Sequence, residues 1–152
     1  MSTWTTQTVV DGTPEEVLAV LSDPDSCYRW SPIDFDLEDL DGDRLETGSY
    51  ARVAGRVAGI SVSFEIKILH ASGRRLALTA RGPLKLDVEY EAYPADGGRA
   101  EVWATVTVKA SRSLSGRLAA ASTEALLRGG ALSLALRRIS AEVERRAERV
   151  PA

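Results

Sequence analysis

The chain reads as an α+β protein: a curved, seven-stranded antiparallel sheet with two short helices and a long C-terminal helix, enclosing a cavity. Three observations predict this. From Ile33 to about Ala110 apolar and polar residues alternate with period two. From about Ser113 to Arg149 there is no proline, and Leu118, Ser122, Ala125, Gly129, Leu132, Leu136, Ile139 and Val143 recur at three- and four-residue spacing, one continuous helix face. Between the first strand and the alternating region lie two helical signals, each with its own start and stop.

Taken in order, Thr3 to Val10 is rich in Thr and Val and reads as a strand. Thr13 is a good N-cap, Pro14 suits the first helical position, and Glu15 and Glu16 suit the positive end of the helix dipole. Thr13 and Glu16 have capping-box spacing. Val17, Leu18, Val20 and Leu21 supply the apolar face, and Asp23-Pro24 ends the helix. A second helical turn covers Asp25 to Trp30 and stops at Ser31-Pro32. Phe35 to Leu40, Tyr50 to Val57 and Arg74 to Arg81 read as shorter strands. Three longer runs alternate clearly: Ile60, Val62, Phe64, Ile66, Ile68; Leu84, Leu86, Val88, Tyr90; and Val102, Ala104, Val106, Val108. Each has one apolar and one wet face, as in an antiparallel sheet covered on one side. The connectors Asp41-Gly42-Asp43, Ala58-Gly59, Ser72-Gly73, Gly82-Pro83 and Asp96-Gly97-Gly98 are turn sequences. The closing segment, about 35 residues at 1.5 Å each, spans on the order of 50 Å. It is the one element long enough to cover the sheet, which must curl around it. Gly129 and Gly130 each cost about 1 kcal/mol relative to Ala in a helix, and so predict a kink or a close approach there.

Residues 1–152 suit a single domain with a real core. The apolar fraction of 44% and charged fraction of 27% are those of an ordinary globular chain. Net charge is −3 with the two signs interspersed, so neither a nucleic-acid partner nor an anionic membrane surface is expected. No apolar run approaches 18 residues, so no membrane span is expected. A polar N-terminus and the lone Cys27 point to no signal peptide and no internal disulfide, hence a cytoplasmic location. Asp34, Asp36, Glu38, Asp39, Asp41 and Asp43 form an acidic stretch, read as a solvated strand edge over a cation site because no closing Glu follows.

Some local features have family counterparts. Thr13-Pro14-Glu15-Glu16-Val17 with Leu21 and Asp23, the exit Trp30-Ser31-Pro32, and Gly48 before a strand together resemble the START-like superfamily, whose fold is the helix-grip fold. The chain is most similar to its bacterial polyketide cyclase/dehydrase-like (SRPBCC) branch. The resemblance covers essentially the whole chain and implies a hydrophobic-ligand cavity between sheet and helix. It departs at Leu18, where many relatives carry tryptophan, and at Gly129-Gly130.

The chemistry is sparse. One histidine, His70, at a strand end, and one cysteine do not supply the usual zinc ligand sets, and no nucleophile elbow, Walker loop or Rossmann loop is present. No metal and no cofactor are expected. By parity Phe64, Leu78, Leu86, Tyr90 and Ala104 face the helix, and Ala125, Gly129, Leu132 and Leu136 face them. The small residues Ala104, Ala125 and Gly129 leave volume, placing the pocket near Ser122, Ala125 and Gly129. Trp30 closes one end of the core or lines the pocket mouth. Tyr90 is the polar group whose hydroxyl needs a partner. Parity puts Arg52 and Arg56 on the wet face; a bulge would turn Arg52 inward, where it could hold a carboxylate or enolate.

Three function classes follow. The first is a module that binds a small hydrophobic molecule such as a polyketide, lipid, quinone or sterol-like compound. The second is a cyclase, aromatase or dehydratase using the same pocket, with Tyr90 and Arg52 moving protons. The third is an interaction protein or homodimer, since Leu114, Leu126, Leu127 and Leu134 fall off the main helix stripe.

Overall fold

The computed structural model describes residues 2–31, 35–57, 60–109 and 113–149. The turn expected at Ala58-Gly59, Pro32 of the second-helix exit, and Asp34 of the acidic stretch lie outside the described residues. The order is β1 (Ser2–Val10), α1 (Pro14–Leu21), α2 (Pro24–Trp30), β2 (Phe35–Glu38), β3 (Tyr50–Val57), β4 (Ile60–Ser72), β5 (Arg75–Arg81), β6 (Lys85–Ala95), β7 (Arg99–Lys109), α3 (Leu114–Arg128) and α4 (Ala131–Arg149). The strands form one antiparallel sheet in the order β1-β7-β6-β5-β4-β3-β2. Chain neighbours from β2 to β7 pair as hairpins, and β1 closes against β7. The α1–α2 pair therefore carries the chain from one sheet edge to the other.

Local signals account for the helix starts. The Thr13 hydroxyl accepts from Glu16 N at 3.2 Å, and the Glu16 carboxylate accepts from Thr13 N at 3.2 Å, a complete capping box. Asp23 caps α2 by accepting from Asp25 N at 3.0 Å. Ser113 caps α3 by accepting from Gly116 N at 3.0 Å. In β7 the burial alternates strictly, with Ala100, Val102, Ala104, Val106 and Val108 inside. In β4 the alternation holds through Leu69, which points outward like Lys67, and breaks after it, where the register with β5 slips between Ile68 and His70. This bulge turns Ala71 toward the core and places His70 opposite Ala77. The His70 ring lies 3.1 Å from the Ser72 hydroxyl, away from the cavity.

The closing segment is two helices, which corrects the expectation of one continuous helix. Gly130 has φ +95°, a conformation that an L side chain rarely adopts, and the α-helical path ends there. The break also resets the buried face. In α3 Gly116, Ala119 and Ala120 are buried, with Thr123 and Leu127 half-buried, whereas Leu118 and Ala125 are exposed. In α4 the buried face is Leu132, Ala135, Leu136, Ile139 and Val143. From Leu127 to Leu132 is five residues, about 500° at 3.6 residues per turn, so one unbroken helix would aim these two side chains about 140° apart. The glycine turn supplies the missing rotation.

The main core lies where α1 and α4 cover the β1–β7 side of the sheet. Val10, Val17, Val20, Ile139 and Val143 are almost completely buried there. Gly12 is required by close approach: a Cβ at this position would sit 2.4 Å from Val143 Cγ1. Charged contacts tie α2 to α4. Glu142, only 3% exposed, accepts from Arg29 Nε at 2.9 Å and pairs with Arg145 at 3.1 Å, and Arg146 bonds to Asp23 and Ser26. With α2 fixed on α4, the positions of Cys27 and Trp30 are set.

Candidate functional site: an apolar cavity between sheet and helices

The other half of the sheet's concave face is not filled. A cavity of about 290 Å³ lies over β3 to β6, between the sheet and the α3–α4 junction. Its floor is Ala51 and Val53 of β3, Phe64, Ile66 and Ile68 of β4, Leu76, Leu78 and Ala80 of β5, Leu86, Val88 and Tyr90 of β6, and Val106 of β7. Its roof is Thr123, Leu126 and Leu127 of α3 with Ala131, Leu132 and Ala135 of α4. Cys27, Trp30 and Ser31 at the end of α2, Phe35 and Leu37 of β2, and Leu45 form the walls. The space exists because Ala51, Ala80, Ala131 and Ala135 stand where larger residues would meet, and because the chain turns at Gly130 above it. At the α2–β2 wall, Tyr28 stacks on Phe35 at 4.9 Å, and its hydroxyl accepts from Leu37 N at 3.0 Å.

Of the residues expected at the pocket, the structure brings together Trp30, Phe64, Leu78, Leu86, Tyr90 and Leu132 around the cavity. Ala104, Ala125, Gly129 and Leu136 are not among its lining. Ala104 is opposite Tyr90 on β7 but fully buried. Leu136 faces the closed core one turn beyond Leu132. Ala125 and Gly129 are exposed, because the break rotates α3 and carries its small-residue stripe outward. The open volume lies under Thr123, Leu127 and Ala131, not under Ser122, Ala125 and Gly129. Arg52 stays outside: β3 pairs with β4 without slippage, so Val53 turns inward opposite Phe64, and Arg52, opposite Glu65, lies 3.9 Å from Asp39 with its side chain half-exposed. The two candidate proton-transfer residues, Tyr90 and Arg52, are thus on opposite faces of the sheet.

Several lining residues escaped the sequence reading though their signal was present. Ile66, Ile68 and Val88 continue the alternations that contain Phe64, Leu86 and Tyr90, and Val53 alternates with Arg52 on β3. Cys27 stands three residues before Trp30 on α2, hence on the same helix face. Leu126 and Leu127 were visible only as leucines off the stripe, since their inward direction depends on the helix break.

The cavity's polarity is concentrated at the α2 end. Tyr90 is 4% exposed and meets Trp30 edge to face, with ring centroids 5.7 Å apart. Burial, and secondarily the neighbouring Cys27, push the Tyr90 hydroxyl above the ordinary tyrosine range. The Cys27 thiol donates to Leu21 O at 3.5 Å. Its pKa is pushed up to about 12, first by burial and then by the Asp23 carboxylate, against a smaller opposing effect of the Trp30 indole. Trp30 Nε1 is buried near that sulfur without reaching hydrogen-bond geometry. Among the described lining residues none is Asp, Glu, Lys, Arg or His. Among the described residues no three His, Cys, Asp or Glu side chains converge as metal ligands, and no helix is long and apolar enough to cross a membrane.

This arrangement of one seven-stranded antiparallel sheet with its helices is shared with solved structures. The fold is the START-like helix-grip fold. The chain is similar to the ZhuI aromatase/cyclase from Streptomyces sp. R1128, with a TM-score of 0.71 at 18% identity, covering 96% of this chain and 95% of that one. It is similar to a START superfamily protein from Mycobacterium smegmatis, with a TM-score of 0.68 at 15% identity over 94% and 97% of the two chains. It is also similar to Ara h 8.0201, with a TM-score of 0.60 at 14% identity over 93% and 97%. No family model and no curated protein sequence matches the chain.

Proposed function

We propose that this protein binds a small, largely hydrophobic molecule, of polyketide, lipid or quinone type, in the cavity between the sheet and the C-terminal helices. The observation that carries this reading is a cavity of about 290 Å³ whose described lining residues include no charged side chain. An engineered apolar cavity of roughly 150 Å³ stays dry and takes up benzene, so a space about twice that size suits a molecule of two or three fused rings or a short branched chain. Ligand pockets have this character, mostly apolar with a few placed polar groups. Native mass spectrometry of the purified protein, followed by organic extraction, tests the proposal. The expected result is an apolar adduct released on unfolding, or, from empty protein, a rise in unfolding temperature with apolar ring compounds. Uptake of no such compound at solubility-limited concentration would refute it.

Binding is favoured over cyclase, aromatase or dehydratase chemistry by the titration of the site. General acid–base catalysis works best with a group that titrates near the working pH. The titratable groups on the lining, Cys27 and Tyr90, are both pushed upward, and both stay protonated at neutral pH. Of the four leucines on which the homodimer reading rests, Leu114 and Leu126 are exposed on α3 while Leu127 and Leu134 are half-buried, and light scattering across a concentration series tests it. The cytoplasmic location belongs to the same reading, with cell fractionation as its check.

A further inference from the structure

Accepting that the cavity binds a ligand, its polar end narrows the ligand's chemistry. Among the described residues four polar side chains besides the Trp30 indole line the space, and three already have partners. The Thr123 hydroxyl donates to Ala119 O at 2.9 Å, the Cys27 thiol donates to Leu21 O, and Ser31 is engaged as well. Trp30 Nε1 is sealed off without a partner. The fourth, Tyr90, is only 4% exposed, its hydroxyl is not among the sealed-off atoms, and none of the described residues hydrogen-bonds it. Its ring is held by the edge contact with Trp30, so the hydroxyl has a fixed place at the α2 end. A buried hydroxyl without a partner recovers a hydrogen bond from whatever polar atom fills the space.

We infer that the cavity selects an uncharged ligand with a hydrogen-bonding oxygen, a ketone, quinone or hydroxyl, seated against the Tyr90 hydroxyl. The rest of the ligand is hydrocarbon, because the floor and roof offer it nothing else. A carboxylate is rejected because no described lining residue carries a positive charge to replace its hydration. The phenol remains a donor across the physiological range, so this selectivity does not change with pH through the protein.

Three probes of matched shape test this by calorimetric titration: 2-acetylnaphthalene, 2-isopropenylnaphthalene and 2-naphthoate. The expected result at pH 7 is that the ketone binds about three- to tenfold tighter than the hydrocarbon, the yield of one neutral hydrogen bond. The carboxylate binds at least about tenfold more weakly than the ketone. Tyr90→Phe, which keeps the ring, brings the ketone-to-hydrocarbon ratio to about one, and its cooperative unfolding transition verifies the fold. A ratio of one in the unaltered protein, a ratio that survives Tyr90→Phe, or a carboxylate that binds as tightly as the ketone overturns the inference and leaves ligand binding standing. If none of the three binds, the reading of the cavity as a ligand site fails, and this inference with it.

Discussion

Ala80 is the place to fill the cavity. It lies in the middle of the sheet on β5, opposite Leu86 and Ile66, is 4% exposed, and directs its methyl into the open volume. Ala80→Leu adds three carbons where there is space to receive them. At about 0.8 kcal/mol per buried methylene the gain is about 2.4 kcal/mol, and ordering a leucine side chain takes back about 0.5–1 kcal/mol. The net expectation is a stabilisation of about 1.5 kcal/mol. For a chain of this length that corresponds to a rise in Tm of roughly 3–6 °C. Urea unfolding followed by circular dichroism gives the free energy, and calorimetry gives the Tm. The same substitution removes ligand volume, so 2-acetylnaphthalene binding should fall at least about tenfold. Loss of about 1 kcal/mol or more of stability would mean that the leucine meets packed atoms, and the reasoning from cavity to ligand would be refuted with it.

Gly12→Ala should destabilise by about 1–3 kcal/mol in denaturant unfolding, because the new methyl meets Val143 Cγ1 on a core helix and the backbone must shift. Glu142→Ala should cost about 1–3 kcal/mol by the same assay: it leaves Arg29 and Arg145 without their shared carboxylate, but both are exposed enough for water to compensate in part. Cys27 gives the alkaline limb of the stability profile. Its folded pKa of about 12 lies above the value of about 9 for a free thiol, so its contribution is complete below pH 9 and declines as pH rises toward 12, because the unfolded chain loses the proton first. At pH 10 that loss is on the order of 1 kcal/mol, absent in Cys27→Ala, and the folded thiol should react with disulfide reagents far more slowly than the unfolded one.

Much of this architecture is legible in the residues because its signals are local. The Thr13–Glu16 capping box, Asp23-Pro24, and the alternation from Val102 to Val108 each determine an element within a few residues. The helix roof is different. Its apolar spacing runs unbroken through Gly129, so periodicity alone joins α3 to α4; the Gly129-Gly130 pair marks a kink, and the positive φ of Gly130 makes that kink a full turn. One misjudged junction then turns Ala125 and Gly129 inward when they are exposed, and hides Leu126 and Leu127, which line the cavity. The bulge at Leu69 is likewise set by pairing with β5, a contact between distant parts of the chain, and nothing in Ile68-Leu69-His70 announces it. On the strands the alternation marks the inner face correctly. It does not say which inner residues meet a packed helix and which meet open space. Leu78 and Tyr90 border the cavity while Ala104, opposite Tyr90 on the next strand, is in the closed core, a division made by where α4 begins after the Gly130 turn.

The placing of the three tryptophans has an optical consequence. Trp30 is in the cavity wall against Tyr90, Trp4 has its indole nitrogen shielded at the other end of the sheet, and Trp103 stands on the wet face bonded to Glu101 at 2.7 Å. Iodide should therefore quench mainly the red-shifted Trp103 emission. The protected, shorter-wavelength component, and the near-ultraviolet dichroism of the Trp30–Tyr90 pair, then report what enters the cavity without any attached dye.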